Sequence, residues 1–186
     1  ADCYASLGEY DKAITYARRT IEARVRFLGM SNHPYLLLIR LLIAAEHPAA
    51  EVDEAIASAR ERFPRLPEFP MMAGLAAWQR KEYLQAEKEL RQGLALYHRR
   101  QEEPNQDIYA GDQATNLLPE VYDDLGRLAM MRGDTIEAGQ CLTMSLTERR
   151  RDDRLARLCR VLRSLPPTEA IAVLNRLYDM PREAAL

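Results

Sequence analysis

Apolar residues along this chain recur at the three- and four-residue intervals of helices that bury one stripe, and no strand-rich segment interrupts them. The pattern predicts helices near 11–27, 34–45, 50–63, 68–80, 83–102, 118–132, 135–148, 152–164 and 168–179, with a partial helix at 1–6. Gly8 and Gly133 stand at turns, where glycine takes the positive φ that ends a helix, and Pro34 and Pro48 suit first helical positions. The most apolar run, Tyr35 to Ala45, is broken by Arg40 and falls far short of the ~20 residues a bilayer crossing requires. It reads as a buried helix, and no membrane insertion is expected.

Repetition organises these helices. Three sets of small or turn residues share intervals of seven, five and seven: Ala1, Gly8, Ala13, Thr20; then Gly74, Lys81, Ala86, Gly93; then Gly126, Gly133, Ala138, Ser145. Small residues on two successive helices let backbones approach, so each set predicts a helical hairpin closing at Ala1/Ala13, Gly74/Ala86 or Gly126/Ala138. Tyr10 and Tyr83 follow two of the turns as candidate wedges, and Asp134 with Glu137 forms a plausible capping box. Residues 34–63 form a looser hairpin with a longer turn at Glu46 to Ala50. Leu155, Leu158, Leu162 and Leu165 share a helix face before the Pro166-Pro167 break and a last helix. The expectation is one continuous domain over 1–186 with about five hairpins. Ala1 already occupies a mid-hairpin position, so the protein is expected to extend upstream. The polar segment from Glu103 to Leu117 is long for a connection inside a helical stack. Ile108 and Tyr109 are its sizeable apolar residues, candidates for docking on a groove or a partner.

Composition narrows the function classes. Apolar residues make up 47% and charged residues 29% of 186 residues, the balance of a folded helical protein. A net charge of -2 supplies no global positive field for a phosphate backbone, which argues against nucleic acid. Cys3, Cys141 and Cys159 are odd in number and set in apolar helical patterns, as reduced, buried thiols of a cytoplasmic protein would be. His33, His47 and His98 lie far apart, no glycine-rich phosphate loop follows a strand, and neither a metal site nor a cofactor is implied. Adjacent acids at Asp123-Asp124 and Asp152-Asp153 point about 100° apart on a helix, and read as solvated faces instead of a catalytic pair.

One charged segment stands out. Arg149, Arg150, Arg151, Arg154, Arg157, Arg160 and Arg163 face only Asp152 and Asp153 locally. Their three-residue spacing sweeps them around the polar side of a helix, where they serve either as contacts for anionic groups or as a surface face paired with nearby acids.

The segment YDDLGRLAMMRGDTIEAGQCL resembles the tetratricopeptide repeat (TPR): Leu125, Gly126 and Ala138 match its signature, while Tyr122, Ala129 and Leu142 replace its Trp, Tyr and Phe. The repeat's closing Pro is missing from all three units. The resemblance implies an all-α fold, a right-handed α-solenoid of TPR-like hairpins whose opening helices line a concave groove. By register, that groove holds Trp78, Gln79, Asp123, Arg127, Met130, Met131, Arg157, Arg160 and Arg163, with protein or peptide partners and no catalytic residue. The Lys and Asn positions of carboxylate-clamping chaperone adaptors are not matched.

The order of segments, from CYASLGEYDKAITYARRTIEARVRFLGMSNHPYLLLIRLLIAA through LLPEVYDDLGRLAMMRGD to LRSLPPTEAIAVLNRLYD, also resembles the C-terminal TPR region of bacterial family 2 glycosyltransferases. That resemblance implies an accessory segment beside an upstream catalytic domain, positioning the acceptor or pairing subunits as a homodimer. A free-standing adaptor or chaperone-like peptide-binding protein is the alternative.

Overall fold

A computed structural model describes residues 2–26, 31–102, 114–149 and 151–178, and among them the chain is helical with no strand. Ten helices follow in order: α1 (Asp2–Ser6), α2 (Tyr10–Arg26), α3 (His33–Ala44), α4 (Ala49–Arg62), α5 (Glu68–Gln79), α6 (Tyr83–Glu102), α7 (Leu118–Arg132), α8 (Thr135–Glu148), α9 (Asp152–Ser164) and α10 (Pro167–Tyr178). In order they build a right-handed α-solenoid of about five TPR-like units, in which each closing helix also packs on the opening helix of the next unit, while α9 and α10 both pack on α8 more than on each other.

Four turns repeat one another in atomic detail. Gly8, Glu46, Lys81 and Gly133 take left-handed φ values of 75°, 53°, 63° and 80°. After each, the next backbone N–H donates back to the carbonyl five residues earlier: Glu9 to Tyr4 (2.9 Å), His47 to Leu42 (3.0 Å), Glu82 to Ala77 (2.9 Å) and Asp134 to Ala129 (2.9 Å). This Schellman closure satisfies carbonyls that a helix end would leave bare. Glycine adopts that conformation without strain, whereas Glu46 and Lys81 accept a Cβ penalty to keep the same turn. The second hairpin needs one more residue, because Pro48 and not His47 is the cap of α4.

After each turn, one row of closing-helix residues is buried: Ala13 and Ala17 in the first hairpin, Val52, Ile56 and Ala59 in the second, Ala86 and Leu90 in the third, Ala138 and Leu142 in the fourth. Close approach is tightest in the third and fourth hairpins. A Cβ on Gly74 would stand 2.6 Å from the Leu90 side chain and 2.9 Å from its backbone N, and one on Gly93 would stand 2.6 Å from Met71 Cγ. On Gly126 it would stand 2.9 Å from Leu142 Cγ and 3.4 Å from the Ala138 carbonyl. The Gly74 and Gly126 approaches therefore occur in the predicted hairpins; Ala1 lies outside the described residues.

The main core runs from Ala13 through α3 and α5 to Leu128, and a second cluster around Leu142, Leu158 and Val161 joins α8 to α9 and α10. Asp134 caps α8 by accepting from the Glu137 N–H at 3.0 Å. The reciprocal half of the box is absent: Glu137 turns to Arg91 and Arg132, and the Asp134 N–H serves the turn. Tyr83 packs on Trp78, while Tyr10 is 37% exposed and does not wedge between helices.

Candidate functional site

The opening helices α5, α7 and α9 meet along one ridge of polar and aromatic side chains. Trp78, near the end of α5, is half-buried, tilted against Tyr83 at 5.2 Å between ring centroids and covered by the Arg127 guanidinium at 4.5 Å. That stacking of a planar cation on an indole fixes both side chains at low entropic cost. Arg127 also donates to Asp124 Oδ1 at 3.2 Å, a turn back on α7. On the far side of the ridge Arg157 of α9 grips Asp123, with Nη2 at 2.8 Å from both carboxylate oxygens, and reaches Asp153 at 3.1 Å.

The acids at 123 and 124 are not a solvated face. Only 8% and 7% of their surfaces are exposed. Burial pushes the Asp124 carboxyl up to about 7, opposed by the Arg127 charge, with Asp123 adding to the rise. Asp123 instead is satisfied by a bidentate guanidinium, the geometry that makes such pairs strong.

Trp78, Asp123, Arg127 and Arg157 are thus brought together, and Gln79 is exposed beside them. Met131 is 59% exposed at the end of α7, whereas Met130 packs against the second core cluster with Leu146 and Leu162. Arg160 and Arg163 are exposed on α9, with no ion-pair partner among the described residues. Ile108 and Tyr109 lie outside the described residues. The arginine run splits three ways, since Arg154 is only 2% exposed, inserted beneath Glu120 at 3.3 Å and the Arg149 carbonyl at 3.4 Å. Sequence spacing did not single out Arg154. The signal existed in the 34-residue separation of Arg154 from Glu120 and of Arg157 from Asp123, which equals the ~34-residue period of this repeat type.

Cys141 is half-buried and burial raises its thiol to about 11, while Cys159 is exposed, contrary to the expectation of buried thiols. Among the described residues no group of three or more His, Cys, Asp or Glu could hold a metal, and no helix is long and apolar enough to cross a membrane. A separate cleft of about 550 Å³ opens between α2 and the second hairpin, lined by Arg18, Ile21, Tyr35, Leu42, Glu51 and Glu54.

Neither protein-family models nor curated proteins yield a match to this chain. Among solved structures, it is similar to a chain in the crystal structure of the APC/C hetero-tetramer Cut9–Hcn1, with a TM-score of 0.62 at 20% identity. The likeness covers 98% of this chain and 33% of that one, so the chain spans about a third of its solved counterpart. At this identity the likeness concerns the fold, which is that of a TPR-like helical repeat protein.

Proposed function

We propose that this chain is a non-catalytic scaffold that binds a protein or peptide partner along the ridge of α5, α7 and α9. The observation that carries this reading is the Trp78–Arg127 stack, a rigid aromatic anchor held half-open beside exposed Gln79, with Met131 on α7 nearby in sequence. Aromatic and arginine side chains of this kind dominate binding energies, because they bury much area for few frozen torsions. Membership of the structural counterpart in a hetero-tetramer supports an assembly role. The order of the sequence segments supports placing the scaffold beside a family 2 glycosyltransferase domain, where it would position the acceptor or join subunits; an independent adaptor is the alternative.

Selection of binders from a displayed peptide library tests the ridge. Binders are expected to lose at least tenfold affinity on Trp78→Ala and on Arg127→Glu, yet to tolerate Lys88→Glu on α6. A collection of binders indifferent to both ridge substitutions would overturn the assignment. The transferase placement is tested separately: activity of the full-length protein on its acceptor should fall when this region is removed and return when it is supplied in trans.

A further inference from the structure

Successive closing helices are tied to one another by arginine–glutamate pairs. Arg18 of α2 reaches Glu51 of α4 at 2.9 Å, Arg60 of α4 reaches Glu89 of α6, and Arg91 of α6 pairs with Glu137 of α8. At the last of these boundaries Arg91 and Arg132 answer Glu87 and Glu137, two charges for two. The first boundary does not balance, because Arg18 stands there with Glu22, Glu51 and Glu54.

Those side chains rim the cleft of about 550 Å³ between α2 and the second hairpin. Helical spacing puts Arg18, Ile21 and Glu22 on one face of α2, and Glu51, Glu54, Ala55 and Ser58 on one face of α4. Tyr35, Leu38 and Leu42, at three- and four-residue steps along α3, form the floor. Ala55 and Ser58 are small, and leave open the width that longer side chains on α4 would fill. Glu51 is engaged by Arg18, with His47 Nδ1 also 3.3 Å away. Glu22 and Glu54 are exposed on opposite walls and have no ion-pair partner among the described residues. Beyond Ser58 the last turn of α4 adds Glu61 and Arg62, which cancel in charge.

An apolar floor is thus joined to two unanswered carboxylates. A neutral apolar ligand would cover the floor but strip water from the carboxylates without replacing it. An anion would meet them directly. A side chain with an aliphatic stem and a cationic head suits both parts, the stem along Ile21 and Leu38 and the head between the two glutamates. We propose that the cleft between α2 and α4 receives a basic peptide segment of a partner protein, with an arginine entering between Glu22 and Glu54. Arginine repeats the pairing that the closing helices make among themselves, and its fork can bond two carboxylates at once. A cleft of this volume takes the entering side chain and the residues that flank it. A second copy of the chain carries a net charge of -2 and is not drawn to a negative cleft. The site is separate from the ridge of α5, α7 and α9, and the inference does not depend on it.

Fluorescence anisotropy of a dye-labelled peptide of alternating leucine and arginine, titrated with the whole chain, tests the assignment. An analogue with citrulline in place of arginine keeps the shape and removes the charge. The citrulline peptide is expected to bind at least tenfold more weakly, and Glu22→Gln with Glu54→Gln to weaken the arginine peptide at least tenfold. Glu102→Gln with Glu169→Gln removes the same charge from α6 and α10, and should change binding less than twofold. Ala55→Phe fills the cleft without altering charge and should also lose tenfold, circular dichroism showing the helicity of each variant unchanged. Equal binding of the citrulline peptide, undiminished binding after either cleft substitution, or equal losses from the two glutamine pairs would each overturn the proposal. Agmatine that displaces the labelled peptide as well as unlabelled peptide does would assign the cleft to a small cation instead. A chain that is dimeric, and monomeric only with Glu22→Gln and Glu54→Gln, would give the cleft to a second copy and likewise overturn it.

Discussion

Gly74 and Gly93 face each other's helices across the third hairpin, and replacing either by alanine sets two effects in opposition. Alanine favours a helix interior by ~1 kcal/mol over glycine. Against this, the added methyl on residue 74 meets Leu90 at 2.6 Å in its side chain and 2.9 Å at its backbone N; on residue 93 it meets Met71 at 2.6 Å and its backbone N at 3.0 Å. Side chains can rotate away, but backbone atoms at these distances require the helices to separate, and overpacking of this kind costs ~1–3 kcal/mol. We expect each single variant to lose about 1–2 kcal/mol net, lowering Tm by ~2–4 °C per kcal/mol in a chain of this size.

The double variant decides the cause. Once α5 and α6 have parted to admit one methyl, the second finds room, so the two losses should fall short of additivity by at least ~0.5 kcal/mol. Urea unfolding followed by circular dichroism gives the global free energy. Fluorescence of Trp78, the one tryptophan in the sequence and one turn beyond Gly74, follows α5 itself. Stabilisation by Gly74→Ala would mean that helix propensity outweighs contact, and strict additivity would mean that the two sites do not share one helix separation; either result refutes the close-approach account.

Other consequences are simpler to check. Lys81→Gly and Glu46→Gly relieve a left-handed residue at each turn and should each stabilise by ~0.5–1 kcal/mol in thermal melts; a loss would show that the side chains do more than occupy the turn. Arg154→Ala removes a buried guanidinium and its packing, and should cost about 3 kcal/mol while raising hydrogen exchange in α9 before the rest of the chain. Asp124 has a folded value of about 7, above the ~3.9 of an unfolded aspartate, so the folded state retains a proton through that interval. Its contribution to stability is greatest below pH 4 and declines until pH 7. Asp124→Asn should therefore match the parent near pH 4 and gain on it, by on the order of 4 kcal/mol, as pH rises to 7; parallel stability curves would contradict this.

Turn positions were legible in the sequence because glycine and the seven-five-seven spacing mark them locally, and the helices begin and end within two residues of the periodic pattern. Legibility ended where conformation followed from tertiary demand. Lys81 stands at the glycine position of its unit, yet nothing in its chemistry announces a left-handed φ. Asp123 and Asp124 read as solvated because adjacent acids usually are, and only the arrival of Arg157 and the ridge helices buries them. The arginine run looked uniform, although Arg154, Arg157 and Arg160 successively face the core, a neighbouring helix and solvent. Three-residue steps on a helix of ~3.6 residues per turn carry side chains through all these environments.

That division constrains how the ridge can recognise a partner. Asp123 has both oxygens committed to Arg157, and Arg127 spends its charge on Asp124 and the Trp78 face. Breaking these contacts to make new ones exposes a buried carboxylate and gains little, since the lost and acquired pairs are of like kind. Recognition on the ridge should therefore rest on surfaces left open: the outer edge of the Trp78 stack, the Gln79 amide and the Met131 thioether. A partner's contact with the ridge should show weak salt dependence and a large penalty for Trp78→Ala. Steep weakening of ridge binding between low and moderate salt would place the recognition charge on the ridge pairs themselves, and would undo this account of the ridge.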